Sequence, residues 1–150
     1  MRRSPHFIPL VISLLIAASL PEARARVLEV GPGRMYTLPS QAATAVRDGD
    51  TVAIDAGSYV DCATWTRNDL LIRGIGGYAH VRDKSCGGKA IWVIRGNNTT
   101  IESIEFSGAS VVDGNGAGIR QEGANLTVRR CYFTTARRGF LPETTRAVKS

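Results

Sequence analysis

Apolar residues follow three regimes along this chain. Between Phe7 and Leu20 they run almost unbroken, and between Val27 and Val46 they make one alternating run and one helical stretch. From Thr51 to Phe133 they recur as short strand-like runs broken by Gly, Asn and Asp. Val27-Leu28-Glu29-Val30 alternates as a strand does and ends at the turn formers Gly31-Pro32-Gly33. Pro39 sits where a helix begins, and Ala42, Ala43, Ala45 and Val46 give one short helical stretch closed by Asp48-Gly49-Asp50. A helix this short needs a surface to cover, which predicts a cap over the exposed end of a β-stack.

The runs after Thr51 can be laid over one another. Leu70-Leu71-Ile72-Arg73-Gly74-Ile75, Thr99-Thr100-Ile101-Glu102-Ser103-Ile104 and Leu126-Thr127-Val128-Arg129-Arg130-Cys131 align with steps of 29 and 27 residues. The alignment predicts interior columns Ile72/Ile101/Val128, Ile75/Ile104/Cys131 and Phe106/Phe133, with a polar turn ladder Asp69/Asn98/Asn125. Gly96 and Gly123 close the preceding strand at the same offset of 27. A step of this length with two or three strands is what a coil of parallel strands gives, because each coil returns the chain above its own start. The expected fold is all-β, a right-handed parallel β-helix of about three coils with a short N-terminal capping helix. A β-sandwich with similar spacing is the competing architecture.

These residues resemble the right-handed parallel β-helix repeat family of the pectate-lyase-like superfamily. The most specific stretch is the entry, where Gly49-Asp50-Thr51-Val52 and Ala56-Gly57-Ser58-Tyr59 look like that family's first coil, with Ser58 in place of the usual Thr. Asn98 to Phe106 and Asn125 to Val128 look like its repeats, so the resemblance spans roughly residues 27–133. It implies a polysaccharide-associated role. Active members use acidic residues, calcium and a basic residue from several consecutive coils, whereas three coils stack to only about 14 Å. The fold is shared by lyases, hydrolases, epimerases and binding proteins, so it assigns no activity.

Arg2-Arg3, the apolar run Phe7 to Leu20 and the small-x-small site Ala23-Arg24-Ala25 read as a signal peptide over residues 1–25, with a mature start at Arg26. The general secretory route is the expectation and twin-arginine export the alternative. Interrupted by Pro9, the apolar run falls short of the roughly 20 residues that cross a bilayer. The expected location is therefore secreted or periplasmic, with no membrane span after cleavage.

The chain is 43% hydrophobic and 7% aromatic over 150 residues, enough for one domain with a core. Its net charge of +6 suggests nucleic acid until the charge is located. Removing residues 1–25 takes away three basic residues and one acidic, leaving +4. The four basic residues and one acidic residue after Phe133 hold +3 of that, so residues 26–133 carry about +1. With no basic stripe, nucleic acid is excluded as the expected partner.

Of the three cysteines, Cys62 and Cys86 are 24 residues apart, nearly one coil, and are the expected disulfide. Cys131 reads as a small buried hydrophobe. No Cys/His set has zinc spacing, and no metal or cofactor is expected from the residues themselves; calcium belongs to the full-length family. Glu102 and Glu105 could serve as an acid-base pair, but strand alternation turns both to water. Asp55, Asp61 and Asp83 read as turn residues, His80 as a surface or turn residue, and Trp65 and Trp92 as core.

The expected function is a secreted, polysaccharide-associated β-helix protein without complete catalytic machinery. The alternatives are an active polysaccharide lyase or glycoside hydrolase, and a surface carbohydrate-binding or adhesin-like module. Strand grammar stops at Phe133, and residues 134–150 form an irregular basic tail. One permitted codon choice, read one base earlier after Phe133, gives HDGEEGFLAGNN followed by PGGQ, the turn and apolar pattern of a further coil. That match is the basis for reading the chain as a frameshifted remnant.

Overall fold

A computed structural model describes residues 24–111 and 116–134, together with the backbone of Thr144–Arg146. The expected signal peptide therefore lies outside the described residues except for Arg24 and Ala25, and so does most of the tail. Among the described residues no helix is long and apolar enough to cross a membrane.

The strands wind into a parallel β-solenoid of about 4 turns, somewhat more than the three coils expected. One wall is built from β1 (Val27–Val30), β2 (Thr51–Asp61), β4 (Leu71–Asp83), β6 (Thr100–Glu102), β7 (Ile104–Ser107), β9 (Thr127–Arg129) and β10 (Tyr132–Thr134). The opposite wall is β3 (Ala63–Trp65), β5 (Ala90–Ile94) and β8 (Ala117–Gln121). β11 (Thr144–Arg146), within the tail, joins β10 antiparallel, whereas every other pairing between these strands is parallel.

Parallel register stacks like on like. Leu28, Val52, Ile72, Ile101 and Val128 stand directly over one another, as do Tyr59, Val81, Phe106 and Phe133. Val52, Ile72 and Ile101 are fully buried. Trp65 and Trp92 also lie inside, edge to face at 5.3 Å, with Trp92 against Phe106 at 5.0 Å and Phe106 stacked on Phe133 at 5.3 Å. Burial thins toward the last coil: β5 is buried throughout, whereas β8, β9 and β10 contain no fully buried residue.

The column expected to contain Ile75 is different. Ala79, not Ile75, stands opposite Ile104, and Ile75 pairs with Asp55. Five residues, Gly74 to Tyr78, lie across from the single Ser103 and push Ile75 out of the repeat. A side chain at Gly74 would collide with the Ser103 carbonyl, so this excursion needs glycine there. Cys131, one residue before the Tyr132–Glu105 pair, is 1% exposed and belongs to the interior cluster.

Helix α1 (Pro39–Ala45) covers the first coil with Pro39, Ala42 and Ala43. The N–H groups at and just before its start are met from two sides. Ser40 N–H donates to Asp61 Oδ2 at 2.7 Å, while Thr37 and Leu38 N–H donate to Gln41 Oε1 at 2.8 and 3.2 Å. Asp61 is thus a buried capping carboxylate at 1% exposure, not a turn residue, because strand β2 ends directly beneath the helix start. Cys62 and Cys86 form a disulfide with Cα atoms 5.5 Å apart, closing a loop whose tethering contributes about 3 kcal/mol on chain-entropy grounds.

Candidate functional site

Turn chemistry fixes where side chains can gather. Asp69, Asn98 and Asn125 all adopt left-handed backbone, with φ of 57°, 56° and 56°, a conformation these residue types tolerate. Asn98 Nδ2 donates to Asp69 Oδ1, and Asn125 Nδ2 to Asn98 Oδ1, both at 2.9 Å. A second ladder beside it is not apparent from the repeat alignment. Asn68 N–H donates to Asp48 Oδ1 at 2.8 Å, Asn97 N–H to Asn68 Oδ1 at 2.9 Å, and Ala124 N–H to Asn97 Oδ1 at 2.9 Å. The signal for it was the Asn68/Asn97 offset of 29, equal to the neighbouring step. These ladders consume their own donors and acceptors, so they hold the coils and leave little for a ligand.

The richest outward surface lies on the second half of β2, on β4, and on β7 and β10. Ser58, His80, Glu105 and Tyr132 follow the cross-strand register there, as do Val60, Arg82, Ser107 and Thr134. Beside them the Gly74–Tyr78 excursion delivers Tyr78, 40% exposed, edge to face against Tyr132 at 4.8 Å. A side-chain hydrogen bond with Tyr132, with burial adding, pushes the Tyr78 phenol above its ordinary value. Arg82 Nε donates to Ser58 Oγ at 2.8 Å, and its guanidinium pairs with Asp83. Asp83, exposed with φ of 63°, ends β4 as the turn residue expected.

His80 sits on a strand, half-buried, and has a serine partner that motif reading did not supply. Its Nε2 lies 2.6 Å from Ser107 Oγ and 4.0 Å from Glu105 Oε1. A nucleophilic triad needs the carboxylate on one ring nitrogen and the hydroxyl on the other. Here both approach Nε2, so Glu105 cannot orient the ring while Nε2 takes the Ser107 proton.

Glu102 overturns its expectation. Alternation does turn it outward, yet it is only 8% exposed. Arg129 and Arg130, one coil above, fold over it: Arg129 ion-pairs with Oε1, and Arg130 Nη2 donates to Oε2 at 2.9 Å. The left-handed turn at Arg130, with φ of 49°, places consecutive arginines on the same carboxylate. With Oε1 and Oε2 each taken by an arginine, Glu102 has no free carboxylate oxygen to offer a substrate. Asp55 is likewise no free turn residue, since Arg34 Nε and Nη2 donate to it at 2.8 and 3.1 Å and hold its carboxyl below the usual range. On the opposite wall, hydrogen bonds from Lys89 and Arg95 hold Glu122 at a pKa of about 2.

Two concavities accompany these surfaces. One of about 300 Å³ runs along β1 between Arg26, Leu28, Met35 and Tyr36, and one of about 50 Å³ opens at Ile91, Phe106, Gly118 and Phe133. Among the described residues no group of His, Cys, Asp or Glu could hold a metal ion. No protein-family model, curated protein or solved structure matches the chain at the level that marks relationship.

Proposed function

We propose that this chain is an exported, polysaccharide-associated β-solenoid protein whose Tyr78–Tyr132 face binds saccharide without cleaving it. The observation that carries the reading is the outward-facing aromatic pair, Tyr78 exposed and Tyr132 half-buried, set beside His80, Arg82 and Glu105 on the outer face of a parallel sheet. Aromatic rings offer flat apolar area to sugar C–H faces, and the neighbouring polar groups supply hydrogen bonds. The resemblance to the pectate-lyase-like superfamily supports the substrate class. The ring geometry at His80 and the double ion pairing of Glu102 favour binding over the lyase or hydrolase alternatives.

Titration of purified protein with pectin-like, alginate-like and neutral polymers tests this. Binding to at least one is expected, weakened at least about fivefold by Tyr132→Ala, with no cleavage with or without calcium. Release of unsaturated or reducing ends would replace this reading with the enzyme, and failure to bind any polymer would remove it.

The same reading takes the change of composition after Phe133 as a frame change within a longer β-helix gene. The antiparallel β11 departs from the parallel repeat, which agrees with that reading. Sequencing the locus decides it: further repeats in the shifted frame are expected, and an early stop there would make residues 134–150 a genuine tail.

A further inference from the structure

The start of the first strand carries a second kind of site. Asp50 is 2% exposed and accepts four hydrogen bonds. They come from the backbone nitrogen of Arg26 to Oδ1 at 2.9 Å, Arg26 Nε to Oδ1 at 3.4 Å, Arg26 Nη2 to Oδ2 at 2.6 Å, and Arg47 N–H to Oδ2 at 2.8 Å. Arg26 Nη2 also donates to the Ala45 carbonyl at 3.0 Å, and the Arg26 carbonyl accepts Thr51 N–H at 2.8 Å. Arg26, exposed and just ahead of β1 like Arg24 and Ala25 before it, is nonetheless fastened at its backbone nitrogen, its carbonyl and its side chain. Burial pulls the Asp50 carboxyl up, but hydrogen bonds from the Arg26 side chain and from the Arg26 and Arg47 backbone outweigh it and hold it below its ordinary value.

We propose that the bond between Ala25 and Arg26 is a processing site and that Asp50 is the receptor for the α-ammonium its cleavage creates. This rests on the export reading above. Hydrolysis breaks the Ala25–Arg26 amide with one water: the oxygen goes to the Ala25 carbonyl carbon as a carboxylate, and the Arg26 nitrogen, taking up a proton, becomes an ammonium. The nitrogen already stands 2.9 Å from Asp50 Oδ1, so a neutral amide donor turns into a cation against a buried carboxylate with no rearrangement. The small-x-small pattern Ala23-Arg24-Ala25 places the cleavage at the residue whose nitrogen the fold has captured. Two independent features, a peptidase pattern and a buried acid, meet on one atom.

The charged and titratable groups around that nitrogen among the described residues are the Asp50 carboxylate, the Arg26 guanidinium and the Tyr36 phenol. The Asp50 carboxylate favours the charged amine and the Arg26 guanidinium on the same carboxylate opposes it; with Oδ1 in direct contact at 2.9 Å, the carboxylate prevails and the folded-state pKa lies above the unfolded value of about 8. The stabilisation is therefore complete below about pH 8 and is lost as pH rises through the higher folded-state value.

The test compares the protein beginning at Arg26 with one beginning at Ala25, each released from a cleavable fusion so that export plays no part. The Arg26 form is expected to melt at least about 3 °C higher at pH 7, with the gap closing above the folded-state pKa and vanishing in the Asp50→Asn pair. Equal melting of the two forms at pH 7, or a gap indifferent to pH, overturns the capture even if Asp50→Asn does not fold. N-terminal sequencing of exported protein is the separate arm. Arg26 as first residue is expected, and another start overturns the processing site while leaving saccharide binding untouched.

Discussion

Ile101→Asp is expected to abolish cooperative folding, while the adjacent Glu102→Ala costs only about 1–2 kcal/mol. Ile101 is the fourth of five residues in the interior column, fully buried between Ile72 below and Val128 above. An aspartate there loses the burial of the isoleucine and strands an unpaired charge, together more than about 5 kcal/mol. That is comparable with the whole stability of a domain this size. Glu102→Ala removes a carboxylate but leaves Arg129 and Arg130, whose side chains are 59% and 68% exposed, free to turn to water. Circular dichroism and urea melts separate the two; equal damage would mean that the inner and outer faces of β6 have been exchanged.

Gly96→Ala is expected to cost more than about 3 kcal/mol although it adds a single methyl group in a turn. A Cβ at Gly96 would fall on the Arg67 carbonyl of the coil below. The backbone cannot retreat, because Arg95 and Gly96 N–H groups both donate to the Trp65 carbonyl at 2.8 and 3.1 Å. Glu122 and Gly123 repeat the arrangement on the Ile94 carbonyl at 2.7 and 2.9 Å. Gly33→Ala is the control, for it has φ of 76° and no atom within 4 Å, so only about 1–2 kcal/mol of backbone strain applies. If chemical denaturation found the two substitutions equal, coil contact at Gly96 would not be the constraint.

The coil was legible because its determinants repeat. Ile72, Ile101 and Val128 share an offset with the Asp69, Asn98 and Asn125 turns, and parallel stacking turns equal offsets into contact. Cys62 and Cys86, 24 residues apart, fall short of a full coil step and meet because Cys86 lies on the connection between β4 and β5, not in the parallel ladder. Ile75 failed because a local excursion changes the count between one bend and the next without changing the turn that follows. Glu102 failed differently: alternation gives the direction of a side chain, not what the next coil lays over it. Tyr78 and Tyr132 could not be paired from sequence, since the excursion that brings Tyr78 outward has no counterpart in the other coils.

The thinning of burial from β5 to β10 gives the molecule a mechanical polarity. In a stack where each coil touches only its neighbours, rupture propagates from the layer with least to lose. Among the described coils, the layer of β8, β9 and β10 would open first under load, while the β1 layer, clamped by α1 and the Asp50 hydrogen bonds, would be the last to yield.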